Sequence, residues 1–279
     1  MWARVSSEAG IIPSLSTEAL SALPPMHIFN GATGEIIREM PSVGPVYRLL
    51  LSRLRQLLSQ GIDVQWGKTL EYFSCDTSHR SVTATFSDGS TVKGRLLVGT
   101  DGAHSRVRRL LFADDPARAE LVYLPYEATF VNASFTREQA LKLHSSPYHP
   151  LLNVIVHPSG RMGFLATMDA HDEEHPETWC FTFYIGRKID KLEKETARVG
   201  ARERLMEVKQ LVRDESWAEP LRSVYDHCHD DTETVYYTRL ANWNPALEEH
   251  RWDNRRGLVT LAGDAAHPMT YRECSSSLH

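Results

Sequence analysis

A chain of 279 residues, 42% hydrophobic and 24% charged, is long enough for one large domain or two modest ones with real cores. Its net charge of −5 argues against a nucleic-acid partner held by electrostatics, and no apolar run approaches the roughly 20 residues of a membrane-spanning helix. Met1–Pro13 carries no signal-type apolar core, so the composition reads as that of a soluble, cytoplasmic protein.

In chain order, the stretch to about Pro25 mixes Ser, Pro and single apolar residues, which suits a short helix with loops. Met26–Asn30 and Ile36-Ile37 flank Gly31–Gly34 and predict a hairpin. Val46–Gln60 predicts a helix, with Tyr47, Leu50, Leu51, Leu54 and Leu58 on one face and Gly61 closing it. Arg48 falls in its first turn, where a cation is unfavourable for the helix dipole unless an anion lies nearby. Ile62–Trp66 alternates as a half-buried strand. Ser81–Phe86 and Thr91–Arg95 flank Asp88-Gly89, a strong hairpin turn.

Leu96-Leu97-Val98 then predicts an apolar strand running into Gly99-Thr100-Asp101-Gly102-Ala103-His104-Ser105-Arg106-Val107-Arg108. Ser105 can cap the helix that follows, and backbone N–H groups at the turn, with Arg108 nearby, could hold a pyrophosphate. After Pro116, strand-like runs at Leu121–Phe135, Leu151–His157, Arg161–Met168 and Thr178–Ile185 imply a mostly antiparallel sheet. Lys194–Trp217 predicts an amphipathic helix with Ala201, Leu205, Val208, Leu211 and Val212 on one face, and Val235–Thr238 a short strand. Last, Leu258–Ala262 predicts a buried strand ending in Gly263-Asp264-Ala265-Ala266-His267-Pro268. Gly263 permits a tight turn or close approach, and Asp264 sits at the carboxyl end of the strand, where open α/β sheets bind ligands. An ionised carboxylate there can accept from ribose or ribityl hydroxyls.

Cys75, Cys180, Cys228 and Cys274 form no CxxC pair, so neither a zinc knuckle nor a disulfide framework is indicated. Asp226–Asp231 is rich in metal-ligand types, and His171 and His175 lie four apart, but both stretches read as polar surface, and no metal site is assigned.

Asp101-Gly102-x-x-Ser105-x-Val107-Arg108 matches, at every fixed position, the D-G-x-x-S-x-V-R motif of flavin-dependent aromatic-ring hydroxylases. About 160 residues on and in the same order, the Gly263-Asp264 stretch resembles that family's Gly-Asp motif. The chain is thereby similar, over roughly residues 20 to 272, to the p-hydroxybenzoate hydroxylase-like FAD monooxygenases, Trp252–Arg255 being of the fungal type. The resemblance implies an α/β fold: an FAD-binding Rossmann-like sheet with an inserted antiparallel-sheet substrate domain. The expected division is a partial FAD-binding domain over 1–118, the substrate sheet and helix over 119–250, and a return to the FAD-binding domain over 251–279. It implies FAD as cofactor, held by Arg48, Asp101, Gly102, Ser105, Arg108, Gly263, Asp264 and Ala265, with NAD(P)H as co-substrate, O₂, and a small organic substrate that is hydroxylated or epoxidised.

The cofactor carries such chemistry, so no nucleophile or triad is expected, and the catalytic residues stay unassigned. His267 can be catalytic or structural. Tyr123, Tyr126, Phe164, Phe181 and Phe183 can line a cavity or pack the core. The family's opening β-strand, G-x-G-x-x-G turn and helix have no counterpart in Met1–Pro45, and Glu273–His279 departs from its downstream pattern. The expectation is an N-terminal βαβ missing from the sheet, truncation at both ends, and a chain that expresses poorly or purifies colourless and turns over no NAD(P)H. A non-catalytic remnant or binding module, and a flavin dehydrogenase or halogenase, remain alternatives.

Overall fold

The computed structural model describes residues 25–40, 50–189, 200–230 and 234–268. They divide into two compact units. A sheet unit holds the described residues up to Ile62 with Pro125–Thr238, and a loop unit holds Asp63–Leu124 with the described residues from Arg239 onward.

The sheet unit is built on the predicted strand-turn pattern. β1 (Met26–Asn30) and β2 (Ile36–Met40) form the expected antiparallel hairpin. β7 (Val122–Ala133), β8 (Leu152–Val156), β9 (Met162–Asp169) and β10 (Cys180–Lys188) realise the four runs after Pro116, and β11 (Val235–Asn242) the last. Together they make one seven-stranded sheet, ordered β11-β7-β10-β9-β8-β1-β2. β7, β10, β9 and β8 pair antiparallel in that order, while β1 joins β8 in parallel.

Side chains alternate across a strand, so register assigns the faces. Phe183 lies opposite Val131 and Leu165, and these residues share a buried core with Phe29, Ile155, Phe181 and Ile185. Helices α3 (Arg137–Leu143), α4 (Ala201–Asp214) and α5 (Leu221–His227) contribute Ala140, Leu143, Leu205, Val208, Val212, Leu221, Val224 and Tyr225 to the same core. The buried face of α4 is the one its periodicity predicts, although Ala201 itself is exposed and residues 190–199 of the predicted helix lie outside the described ones. The opposite sheet face presents Phe130, Phe164 and Tyr184, whose rings stack at 4.9 Å between Phe130 and Tyr184 and meet edge-on at 4.4 Å between Phe164 and Tyr184. Thus Phe181 and Phe183 pack the core, and Phe164 belongs to the aromatic face.

Two predictions are corrected. Ile62–Trp66 is not a strand: Gly61 and Gly67, at φ 75° and 72°, bracket it with turns, and no ladder forms between them. Trp66 is consequently 83% exposed. The strand is instead β3 (Leu70–Asp76), which pairs with the predicted hairpin of β4 (Ser81–Phe86) and β5 (Thr91–Gly94). Residues 46–49 of the first predicted helix lie outside the described ones; its described part, α1, spans Leu51–Leu58 and buries no side chain. Leu51 and Leu58 of its expected apolar face are exposed.

In the loop unit, β6 (Leu97–Gly99) and β12 (Val259–Leu261) pair in parallel, with Val259 opposite Leu97 and Leu261 opposite Gly99. α2 (Arg106–Leu111) packs on one side through Val107 and Leu111, in a core with Phe112, Trp243, Val259 and Leu261. A Cβ on Gly99 would come within 2.7 Å of Val107 Cβ and 2.9 Å of Leu261 Cδ2, so only glycine lets helix and strand approach this closely.

Candidate cofactor site

Parallel pairing brings the carboxyl ends of β6 and β12 side by side, and Ala262 N–H extends the pairing by donating to Gly99 O at 2.9 Å. The two motifs, with Asp101 and Asp264 163 positions apart in sequence, therefore leave the sheet as neighbouring turns. Gly102 (φ 80°) and Gly263 (φ 59°) bend them, and a Cβ built on either would meet nothing within 4 Å.

The first turn is held from inside. The Asp101 carboxylate accepts from Ser105 Oγ at 2.5 Å, Arg106 N–H at 2.5 Å and Val107 N–H at 3.2 Å. Fully buried Ser105 in turn accepts from Arg108 N–H at 3.0 Å, capping α2. Both side chains thus satisfy donors that a helix start leaves unpaired.

Arg108 is 1% exposed, and its guanidinium donates to three backbone carbonyls: Nε to Ala119 at 3.1 Å, Nη1 to Ala265 at 2.8 Å and Nη2 to Ala103. One planar fork so clamps the Asp-Gly turn, the Gly-Asp turn and the segment after α2 to each other. The cation stands 4.9 Å over the buried Trp243 ring, and His250 stacks on that ring at 4.6 Å. Trp243 Nε1 donates to Arg118 O at 2.8 Å. Burial pulls the Arg108 pKa below its ordinary value, against the opposing pull of nearby Asp101, with Arg109 lowering it slightly further.

The second turn presents its groups outward. Gly263 and Asp264 are exposed, whereas Ala265 and Ala266 are buried. Among the described residues no protein donor reaches the Asp264 carboxylate. His267 is exposed and its N–H closes the turn on Gly263 O at 3.0 Å. The structure thus brings Asp101, Gly102, Ser105, Arg108, Gly263, Asp264 and Ala265 together in one unit, while Arg48 lies outside the described residues. Trp243 and His250 went unforeseen; a bulky aromatic in a loop between Asn242 and Asn244 was the available signal. A pocket of about 630 Å³ opens beside this site, lined by His104, Arg108, Arg109, Leu121 and Tyr123 among others. Among the described residues no group of three metal-ligand side chains converges, and no helix is long and apolar enough to cross a membrane.

Two strands delivering glycine turns and an exposed carboxylate at their carboxyl ends are the frame of a dinucleotide-cofactor domain. The model of the FAD binding domain family matches residues 45–271, and the chain belongs to that family, as a p-hydroxybenzoate hydroxylase-like member. It is 34% identical over 243 residues to an FAD-dependent monooxygenase of Talaromyces islandicus, and 32% identical over 256 residues to one of Penicillium herquei. Each alignment covers 87% of this chain and 56% of the relative, so the chain spans little more than half the length of the curated relatives it matches. Among solved structures, Klebsiella pneumoniae HpxO complexed with FAD and uric acid is similar in fold, with a TM-score of 0.64 at 22% identity, over 89% of this chain and 58% of that one.

Proposed function

We propose that this chain supplies the cofactor turns and substrate sheet of an FAD-dependent monooxygenase that uses NAD(P)H and O₂ to hydroxylate or epoxidise a small organic substrate. The observation that carries the reading is the Asp264 carboxylate, which no donor among the described residues reaches, at the carboxyl end of β12 and beside an open glycine turn. These residues fit FAD. Asp264 would accept from a ribityl hydroxyl, Gly263 and Gly102 leave room for backbone approach, and buried Ala265, held through its carbonyl by Arg108, would back the turn. Asp101, Ser105 and Arg108 act one step back, fixing the turns that touch the cofactor. Arg48 is proposed as a further FAD contact on the family resemblance alone. FAD, when bound, supplies the redox and oxygen chemistry; the protein orients and excludes water.

The Phe130–Phe164–Tyr184 face suits a planar, apolar substrate. His104 and Arg109, at the pocket beside the Asp-Gly turn, suit a phosphate-bearing nucleotide such as NAD(P)H. That both relatives are FAD-dependent monooxygenases supports the monooxygenase reading over a dehydrogenase or halogenase.

The test is an FAD titration of wild type and Asp264→Ala in the longest product the gene encodes. Loss of a charge-assisted hydrogen bond should weaken binding by about 1.5–3 kcal/mol, with the fold unchanged by circular dichroism. Equal affinities would remove Asp264 from the site. Product analysis under ¹⁸O₂ then separates oxygen insertion from dehydrogenation.

A further inference from the structure

On the helix-covered side of the large sheet, away from the Phe130–Phe164–Tyr184 face, a cavity of about 240 Å³ opens between α3 and α5. Its floor is apolar: Phe135, Leu143 and Val224 are all at least nine-tenths buried and belong to the sheet unit's core. Tyr148 and Glu219 are among the polar groups that line it. The Tyr148 ring packs 5.7 Å from Phe29, but its hydroxyl has no hydrogen-bond partner among the described residues. The Glu219 carboxylate accepts from Ser223 N–H at 3.2 Å and Ser223 Oγ at 2.7 Å, which leaves each oxygen a lone pair. Burial first, and the Glu219 charge second, hold the Tyr148 phenol above its ordinary pKa, and among the described residues no hydrogen bond joins the two side chains.

We propose that this cavity is a second ligand site, for a neutral ring carrying a hydroxyl group, with the ring on Phe135, Leu143 and Val224 and the hydroxyl between Tyr148 and Glu219. A hydroxyl is both donor and acceptor, so a single group accepts a hydrogen bond from the Tyr148 hydroxyl and donates one to the Glu219 carboxylate. An anion is disfavoured, because Glu138 and Glu219 outnumber the one permanent cation, Lys142. The volume admits one ring, below the range of larger cofactor pockets. Every group named belongs to the sheet unit, so the site stands whether or not the flavin reading holds.

Phenol is the probe, with anisole as the ligand that keeps the ring and acceptor but has no proton to give. Saturation-transfer NMR titrations of the wild-type protein should show phenol binding about tenfold more tightly than anisole. Tyr148→Phe keeps the ring against Phe29 and should weaken phenol by about fivefold to tenfold with the melting temperature little changed. Glu219→Gln keeps an acceptor for Ser223 and should bring phenol and anisole closer together. No phenol binding in the wild type, equal affinity for phenol and anisole, or unchanged phenol binding in Tyr148→Phe would each overturn the proposal; the last would place phenol elsewhere, including on the opposite sheet face.

Discussion

The sheet unit and the loop unit are held together by different physics. In the first, seven strands and three helices enclose a broad apolar core, with Phe181, Phe183, Leu205, Trp217 and Tyr225 all essentially inaccessible. Its stability rests on area removed from water, distributed over many side chains. In the loop unit, the parallel pair of three-residue strands and a six-residue helix bury far less, and one cation clamps three carbonyls at the centre. A distributed core tolerates the loss of one member by partial collapse, whereas a polar hub loses every partner at once.

The sharpest way to break that comparison is one deletion in each unit. Phe183→Ala should cost about 3–5 kcal/mol in urea unfolding, as for a buried aromatic. Arg108→Ala should cost about 3 kcal/mol or more, since it opens a cavity and orphans the carbonyls of Ala103, Ala119 and Ala265. Hydrogen exchange tells the two apart: Arg108→Ala should deprotect β6 and β12, and Phe183→Ala should deprotect β7, β9 and β10. If β6 and β12 exchange as in the parent when Arg108 is gone, the clamp is not what holds the turns.

Smaller effects come from two helix caps, one taken from each unit. Ser105 caps α2 from a fully buried position and also donates to Asp101. Thr136 caps α3 in a capping box with Gln139, exposed to water. Ser105→Ala should cost about 1–2 kcal/mol and Thr136→Ala about 0.5–1 kcal/mol by thermal unfolding, because solvent can replace only the exposed oxygen. Equal losses would mean that burial adds nothing to the Ser105 cap.

The same contrast explains what was legible in the sequence. Alternation and turn residues announce the hairpins at Gly31–Gly34 and Asp88-Gly89 and the strands of the insertion, since a sheet's buried face imposes period two on the chain. The spacing of Leu205, Val208 and Val212 announces α4 in the same way. Ile62–Trp66 imitates that period, but the flanking left-handed glycines decide its conformation. At the site, the motifs located both turns and the parallel strands that carry them. They did not reveal where a side chain points: Arg108 read as a pyrophosphate ligand from its place in the motif, yet its guanidinium donates to backbone carbonyls at positions 103, 119 and 265. Residues 119 and 265 are brought to it only by the folded chain, as is Trp243, and no local pattern encodes that meeting.

The mildest perturbation, pH, tests the sheet unit where it too depends on a polar hub. Glu215, just past α4, accepts from Arg161 Nε at 2.6 Å, Trp217 Nε1 at 3.0 Å and Ser159 Oγ at 3.1 Å. Burial raises its pKa, but the hydrogen bonds from Arg161, Trp217 and Ser159 and the Arg161 charge outweigh that and hold it below the ordinary value of 4.5. A carboxyl whose folded pKa is depressed stabilises the fold fully above its ordinary value, and that contribution disappears as pH falls through the folded one. Stability should therefore decline from about pH 4.5 downward, with Trp217 fluorescence reporting the change as its indole N–H loses an ionised acceptor. Glu215→Gln keeps an amide oxygen for these donors and removes the titration, so its stability should be lower at neutral pH and flatter with acid. An identical acid limb in wild type and Glu215→Gln would assign the decline to other carboxylates and leave the sheet unit held by its apolar core alone.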